Sequence, residues 1–346
     1  MNQKHLKLIC TALDLGEAIR LVTNVPGSRG GSFMWHVITD RGSYAIKQLA
    51  PSIDLSNDHI VIKYELSEVI AEQFKKQGVP AVSAIEKSGK HLFIYEQVGY
   101  LIYPWVDGYV LGRNEVSEVH ALMIAEVIAK LHTINLNVHD IAEPLVDIHT
   151  NDSIVSAIDK AMEFKCPFAK LLKEHQSLIL EINDSYLAVT PLLLENTVVT
   201  HGDINQLNII WDKENQPILI DWESAGQRNP TREIIRACLG WSGMGENDCA
   251  RSIYINMLST YLTNGGSLDV CQVNAALNSV AGGTINWLLF NINVACTSSA
   301  MKERDTANEE ISTCIMTLSR HRKLIPNLIN ISQQVLASYY SDKLND

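Results

Sequence analysis

The stretch VVTHGDINQLNIIWDKENQPILIDWES, from Val198 to Ser224, decides how this chain folds and where its chemistry lies. In this stretch, Asp203, Asn208 and Asp221 lie among apolar residues of the kind that form a hydrophobic core. Asp and Asn are seldom buried without partners, because removing them from water costs free energy. Their presence therefore indicates a polar site at the ends of buried strands.

The middle of this stretch predicts a β-hairpin. NIIW and PILID are short apolar strands, and the intervening DKENQ is turn-forming. A hairpin brings the beginning of its first strand beside the end of its second strand, so Asn208 and Asp221 should lie together at its mouth. Asp203 precedes Asn208 by five residues, on a loop expected to fold back over the site.

This arrangement suits phosphoryl transfer. Magnesium prefers oxygen ligands such as carboxylates and amides, and Asn208 and Asp221 are therefore the predicted metal ligands. A second carboxylate, Asp203, can orient an acceptor hydroxyl and receive its proton. The sequence thus predicts a metal on nucleotide phosphates and an aspartate that holds the acceptor.

The same residues resemble motifs of the aminoglycoside phosphotransferase and choline kinase-like family, whose fold is that of the protein kinases. HGDINQLN is similar to the family's His-Gly-Asp-x-x-x-x-Asn catalytic loop, and IDWE to its metal-binding segment. The resemblance implies that Asp203 is the catalytic base, that Asn208 and Asp221 bind metal, and that His201 supports the loop. It also implies ATP and Mg²⁺ as cofactors and a small-molecule hydroxyl compound as acceptor.

Lys47 is the expected phosphate-binding lysine. It ends the strand sequence YAIK, which is close to the Val-Ala-Ile-Lys pattern of kinases. The following helix carries Glu65, Glu68 and Glu72 near one face. The resemblance favours Glu68 as the ion-pair partner of Lys47 and leaves Glu65 and Glu72 as surface charges.

Two further segments are expected to hold the nucleotide. The glycine-rich PGSRGGS between the first two predicted strands permits close backbone approach to phosphate, although a simple hairpin turn is an alternative. The linker YPWVDG would present backbone groups to adenine, and Trp105 is expected to pack between the lobes. The residues predicted to contact the nucleotide in these segments are Gly30, Gly31, Ser32, Pro104 and Val106.

The roles of three residues near these motifs are less directly indicated by the sequence. Glu223 would either assist a second metal or form a cap or salt bridge. In NPTRE, Glu233 stands where the family stretch usually ends in Asp. His132, at the end of an amphipathic helix, is expected to be a core histidine.

The order of elements predicts an α+β, bilobal protein-kinase-like fold. Residues 1–106 form a small antiparallel-sheet lobe with one helix, which binds nucleotide; residues 107–346 form a mostly helical, catalytic and substrate-binding lobe. Within the first lobe, AVSAIEKSGKHLFIYEQ is typical of a hairpin. Near the end of the chain, NEEISTCIMTLSRHRKLI and LINISQQVLASYYS predict two helices.

Composition excludes several classes of protein. With 46% hydrophobic residues, 346 residues can bury sizeable cores. The net charge of −11 argues against nucleic acid as a partner. Seven scattered cysteines without a Cys-x-x-Cys pair indicate reduced thiols. The sequence shows no signal-peptide pattern and no run of roughly 18 apolar residues. We therefore expect a cytoplasmic protein that is not bound to a membrane. The expected oligomeric state is a monomer or a homodimer.

Two other function classes are alternatives. A metallophosphoesterase would use parts such as DIH at 147–149, but its Gly-Asn-His element is absent from the sequence. A non-catalytic, nucleotide-binding pseudokinase is argued against by the intact set Lys47, Asp203, Asn208 and Asp221.

The acceptor stays open among aminoglycosides, choline, ethanolamine, thiamine, homoserine and sugars. An aminoglycoside antibiotic, and with it antibiotic resistance, is the first choice because the family and the net charge both favour a cation. Acidic residues of the helical lobe that could bind amines are Glu246, Asp248, Glu303 and Asp305.

Overall fold

The computed structural model describes residues 2–25, 32–134, 136–138, 141, 148–243 and 251–345. Its strands are β1 (Ala18–Val25), β2 (Phe33–Thr39), β3 (Ser43–Gln48), β4 (Leu92–Tyr95), β5 (Val98–Pro104), β6 (Val198–Thr200), β7 (Ile209–Trp211), β8 (Pro217–Leu219) and β9 (Gly226–Arg228). Its α-helices are α1 (Gln3–Ala12), α2 (Asp58–Lys76), α3 (Glu118–Ile134), α4 (Asn151–Glu163), α5 (Ala169–Val189), α6 (Pro230–Ser242), α7 (Arg251–Thr263), α8 (Val270–Thr297) and α9 (Met301–Asn345).

The chain folds into two compact units. The first contains Met1–Gly112, Leu136–Ile141 and Val199–Gly226. The second contains Arg113–Asn135, Ala142–Val198 and Gln227–Asp346. The boundary predicted at residue 106 separates a nucleotide-binding lobe from a catalytic and substrate-binding lobe. This division of functions stays a prediction.

An antiparallel sheet in the order β1-β2-β3-β5-β4 organises the first unit. Alternate residues of a strand face opposite sides of a sheet. Ile46 therefore packs with α1, whereas Lys47 lies on the other face, where Leu49 and Leu101 pack with Val61 of α2. The α+β class is confirmed, and α1 adds a second helix where one was predicted.

The segment AVSAIEKSGKHLFIYEQ does not form the predicted pair of strands. Lys87 and Lys90 exchange two backbone hydrogen bonds of 2.8 and 3.2 Å across a tight turn. Beyond that turn, β4 pairs with β5 and not with the preceding residues. The reason is that the backbone before the turn has other partners; Val82, for example, donates its N–H to the carbonyl of Leu219 at 3.0 Å.

Helices α4, α5, α8 and α9 share one hydrophobic core in the second unit. The two helices predicted near the end of the chain are a single helix, α9, which continues through Pro326. Proline removes one intrahelical hydrogen bond and usually kinks a helix. Buried Leu318 before it and Leu328 after it keep both halves packed, which outweighs the lost bond.

One described helical stretch, Ala169–Leu194, is long and apolar enough to cross a membrane by length and composition alone. The sequence contains no long uninterrupted apolar run, so this stretch passes because its polar residues are spread out. Leu172, Ile179 and Ile182 of α5 belong to the core of the second unit, a position also typical of the helices of soluble proteins.

Two neighbouring glycines of α8 give a matched test of this packing. A Cβ atom on Gly282 would lie 2.3 Å from ring atoms of Tyr186, which is fully buried, whereas a Cβ on Gly283 meets nothing within 4 Å. We expect Gly282→Ala to lower the free energy of unfolding by about 1–3 kcal/mol through overpacking. Gly283→Ala should raise it by about 0.4–1 kcal/mol, because alanine restricts the unfolded chain. Urea denaturation of both variants checks this, and equal stabilities would contradict it.

Candidate active site

The predicted β-hairpin is confirmed, and it sets the positions of Asn208 and Asp221. Ile209 of β7 pairs with Leu219 of β8. One residue further out, Ile220 donates its backbone N–H to the carbonyl of Asn208 at 3.0 Å. Asn208 thus lies beside the residue that precedes Asp221, at the mouth of the hairpin.

Asp221 has an unusual backbone conformation. Its φ of 62° and ψ of 66° are left-handed, a region that non-glycine residues seldom occupy and that often marks functional sites. The chain turns there from the hairpin into the short 3₁₀ helix of Trp222–Ser224. The turn separates the Asp221 side chain from the apolar strand before it.

The Asp203 carboxylate is held by two amide groups. Asn208 and Asn205 each donate from Nδ2 to Oδ2 of Asp203 at 3.0 Å. Asn208 also donates to the backbone carbonyl of Asp203 at 2.9 Å. Asp203 is half-buried, so these bonds fix the orientation of a carboxylate that solvent still reaches.

His201 fastens this loop to the hairpin. Its imidazole is fully buried; Nε2 lies 2.9 Å from the carbonyl oxygen of Ile220, and Nδ1 lies 3.3 Å from the backbone N–H of Asp203. These two partners require Nε2 to carry the proton and Nδ1 to accept. The ring also packs on Trp222, with 4.5 Å between centroids. The geometry is that of the supporting histidine that the sequence suggested.

Lys47 reaches the same site from β3. Only 4% of the residue is exposed, and Nζ lies 2.9 Å from Oδ1 of Asp221 and 2.5 Å from Oε1 of Glu223. Burial by itself lowers the pKa of Lys47, but Asp221 and Glu223 outweigh burial and hold that pKa above its usual value. Glu223 was expected to assist a second metal or to form a cap or salt bridge, and in the structure it forms a salt bridge with Lys47.

The prediction that Lys47 pairs with Glu68 is wrong: the structure forms no ion pair between these two described residues. The oxygens of Glu68 have other partners: Oε2 accepts the backbone N–H of Ala84 at 2.6 Å, and Oε1 accepts the hydroxyl of Tyr103 at 2.7 Å. Glu68 is fully buried, and burial raises its pKa to about 7. Lys47 instead finds two closer carboxylates at the hairpin mouth.

Tyr103, like Asn205, is a residue near this site that the sequence analysis did not predict. In the sheet, Ala45 of β3 pairs with Tyr103 of β5, and Lys47 pairs with Leu101. Residues two apart on one strand share a face, so Tyr103 lies on the face that carries Lys47. The alternating pattern of YLIYP contained this signal, but the register of β5 against β3 was needed to use it.

Glu65 and Glu72 are more than the surface charges that were predicted. Glu65 accepts the backbone N–H groups of His91 and Leu92 at 2.8 and 3.0 Å. Glu72 pairs with Lys76 at 2.9 Å and lies 3.9 Å from Nε2 of His91. Their helical spacing places both on the side of α2 that meets the segment before β4.

The predicted nucleotide-contacting residues are described in part. Gly30 and Gly31 lie outside the described residues, whereas Ser32 directly precedes β2. Pro104 ends β5, and the next residue, Trp105, donates its backbone N–H to the carbonyl of Ser43 at 3.0 Å. The ring of Trp105 stacks on His36 at 3.6 Å between centroids, so this tryptophan packs on the sheet of the first unit. The contacts of Pro104 and Val106 with a nucleotide stay predictions.

The remaining candidates belong to the second unit. His132 is a core histidine, as predicted: it is buried, with Glu233 2.8 Å from Nε2 and Tyr261 2.9 Å from Nδ1. Glu303 and Asp305 are exposed at the beginning of α9, where Glu303 accepts the hydroxyl of Ser298 at 2.6 Å. The other two acidic candidates, Glu246 and Asp248, lie outside the described residues.

Comparison with known proteins assigns the class. Residues 25–256 match the phosphotransferase enzyme family, and this is more than half of the chain. The chain therefore belongs to the phosphotransferase enzyme family, whose members act on hydroxyl groups. Comparison with curated protein sequences gives no significant match.

Solved structures with a similar fold include kinases of several small molecules. Spectinomycin phosphotransferase, crystallised with ADP and spectinomycin, has a TM-score of 0.66 at 11% identity, covering 97% of this chain and 98% of its own. Ethanolamine kinase of Plasmodium vivax has a TM-score of 0.58 at 16% identity, and the match covers 90% of this chain and 89% of the kinase. Choline kinase of Streptococcus pneumoniae has a TM-score of 0.55 at 13% identity, and the match covers 89% of this chain and 99% of the kinase. At these identities the likeness shows the fold, which is the predicted kinase-like one.

The buried Glu68 predicts a pH dependence of stability. Its pKa rises from 4.5 to about 7 on folding. Between these values the folded chain keeps a proton that the unfolded chain has lost, so the stability contributed by Glu68 falls as pH rises. Relative to Glu68→Gln, the wild type should lose about 1.4 kcal/mol per pH unit in this window, or about 3 kcal/mol in total.

Urea denaturation at pH 5 and pH 8 measures this difference. Glu214→Gln, in the exposed turn between β7 and β8, is the matched control for removing one carboxylate. A stability difference between the wild type and Glu68→Gln that is constant across the window would refute the assignment.

Proposed function

We propose that this protein transfers the γ-phosphoryl group of ATP, bound with Mg²⁺, to a hydroxyl of a small cationic acceptor, with an aminoglycoside-type antibiotic as first choice. The observation that carries the proposal is the set of side chains at the hairpin mouth. Asn208 orients Asp203 at 3.0 Å, and Lys47 approaches Asp221 at 2.9 Å. These are the groups that phosphoryl transfer requires.

The donor set at the hairpin mouth fits magnesium. Asp221 offers carboxylate oxygens and Asn208 an amide oxygen, and Mg²⁺ prefers such hard ligands. When bound, the ion would neutralise charge on the nucleotide phosphates. Lys47 already lies beside Asp221, so its ammonium group can contact the same phosphates. Glu223, at 2.5 Å from Lys47, would hold that lysine in place.

Asp203 would position the acceptor. Its Oδ2 is fixed by the amides of Asn205 and Asn208. An acceptor hydroxyl that donates to this carboxylate would be oriented towards the γ-phosphorus, and its proton would pass to Asp203 during transfer. Because His201 fastens the loop to Ile220, the base would keep its position during turnover.

Charge supports a cationic acceptor. The chain has a net charge of −11, and ethanolamine and choline, the substrates named for two of the similar structures, each carry a positive charge. Spectinomycin, bound in a third, is an antibiotic. Phosphorylation of such a compound in the cytoplasm, where ATP is available, would give a cell antibiotic resistance.

Two aspartate variants separate chemistry from nucleotide binding. Asp203→Asn should keep Mg²⁺-dependent ATP binding and lower turnover by about 10²–10⁴, the usual contribution of a general base. Asp221→Ala should remove the Mg²⁺ dependence of ATP binding, because the triphosphate would lose its counter-ion. Calorimetry with and without Mg²⁺, and rates of ADP release, measure the two effects. Equal ATP affinity with and without Mg²⁺ in the wild type, or less than a tenfold loss in Asp203→Asn, would contradict these roles.

The acceptor class is tested by ADP release with kanamycin-like, choline-like and neutral sugar acceptors measured side by side. We expect turnover with an aminoglycoside. Its KM should rise with salt if the amines bind at solvent-exposed carboxylates, because salt screens such contacts. Turnover with a neutral sugar or an anionic acceptor alone would exclude the cationic acceptor and leave the kinase assignment standing.

A further inference from the structure

A second polar cluster of the first unit contains Glu72, Glu86 and His91. One potential metal-binding atom from each side chain lies within 4.8 Å of the other two. Glu72 is on α2, and the other two residues flank the turn of Lys87–Lys90. The proposed phosphoryl transfer uses none of the three.

His91 is oriented by a fourth residue, Glu65. The Nδ1 atom of His91 lies 3.3 Å from Oε2 of Glu65, and the same carboxylate accepts the backbone N–H groups of His91 and Leu92. An ionised carboxylate only accepts hydrogen bonds, so Nδ1 is the nitrogen that carries the proton. The lone pair of a neutral His91 therefore belongs to Nε2.

That second nitrogen points into the cluster without a hydrogen-bond partner. His91 is only 5% exposed, and its Nε2 makes no hydrogen bond in the described part of the chain. Oε2 of Glu72 lies 3.9 Å from this nitrogen, beyond hydrogen-bond distance. A buried lone pair that faces carboxylates is unfavourable unless a cation lies between them.

The two carboxylates can each spare an oxygen for such a cation. Oε1 of Glu72 pairs with Lys76 at 2.9 Å, and Oε1 of Glu86 accepts the backbone N–H of Gly89 at 3.0 Å. The other oxygen of each carboxylate is available to a ligand. Glu86 is exposed and Glu72 is half-buried, so an ion can reach the cluster from solvent.

We propose that Glu72, Glu86 and His91 bind a divalent transition-metal ion, with Zn²⁺ as the best match. Imidazole nitrogens and Asp or Glu oxygens are all zinc ligands, and water can complete the coordination of a site with three protein ligands. Mg²⁺ is a poorer match, because it prefers oxygen ligands alone. Glu65 would hold His91 in the correct tautomer, as carboxylates do behind many metal-bound histidines.

The ion would fasten α2 to the segment before β4. Glu68, one turn before Glu72, already accepts the N–H of Ala84 in that segment. Metal binding would add a second link at Glu86 and His91. The site is therefore structural, and its expected effect is stabilisation of the first unit.

A proton is the competing cation. Burial lowers the pKa of His91, but Glu65, Glu68 and Glu72 outweigh burial and raise it above its usual value. A protonated imidazole would satisfy the same carboxylates without a metal. Zinc has to displace that proton, so metal binding should strengthen as pH rises through the pKa of His91.

Calorimetric titration of the chelator-treated full chain with Zn²⁺ tests the proposal. We expect one zinc site in the wild type that is lost in His91→Asn and in Glu86→Gln. Glu65→Gln should weaken binding about 10–100-fold, the usual effect of removing a partner behind a metal ligand. His59→Asn, at an exposed histidine of α2, is the matched control and should bind zinc like the wild type.

Thermal unfolding gives a second readout. Zinc should raise the Tm of the wild type in a concentration-dependent way but not that of Glu86→Gln, which alters an exposed side chain and should fold. Co²⁺ in place of Zn²⁺ should give a spectrum without the charge-transfer band of thiolate ligands, which excludes the cysteines. Asp221→Ala should keep the zinc site, so failure of the proposed kinase function would not affect this result.

Two results would overturn the proposal. Absence of zinc binding by the wild type at pH 8 would mean that a proton alone occupies the cluster. Equal zinc affinity in the wild type, His91→Asn and Glu86→Gln would place the ion elsewhere.

Discussion

The buried ammonium group of Lys47 is the constraint on which the site depends. A buried charge is tolerated only with close partners, because the loss of hydration costs several kcal/mol per ion. Asp221 and Glu223 supply those partners at 2.9 and 2.5 Å. The sheet and the β7–β8 hairpin are therefore joined by charge where phosphate binding is proposed. Removing Lys47 alone would leave two carboxylates together without their cation.

Three carboxylates of the first unit have partners of different kinds. Asp221 is balanced by Lys47, an arrangement that metal and phosphate could replace. Burial raises the pKa of Glu68 to about 7, so below neutral pH it is mostly protonated while it fixes Ala84. Oε2 of Glu72 lies 3.9 Å from Nε2 of His91, where a metal ion is proposed.

Local patterns predicted the hairpin, because strand and turn residues lie within a few positions of each other. The neighbourhood of Asn208 and Asp221 followed directly from hairpin geometry. The partners of Glu68 did not follow, since they depend on the register of β5 against β3 and on the path of the segment before β4. Likewise, the sequence predicted two helices where the structure has one, and the packing of Leu318 and Leu328 keeps α9 continuous through Pro326. Long-range contacts decided both of these cases.

The four side chains proposed for phosphoryl transfer lie in one part of this chain. Lys47, Asp203, Asn208 and Asp221 all belong to the first unit, and the family match ends at residue 256, before α8 and α9. Structures with the same fold are named for acceptors as different as spectinomycin, ethanolamine and choline. A fold therefore does not fix a substrate. The four groups at the hairpin mouth, in their proposed roles, suit transfer to any hydroxyl, so other groups would have to select the acceptor. Substitutions in the second unit are accordingly the ones expected to exchange one acceptor for another while ATP binding is kept.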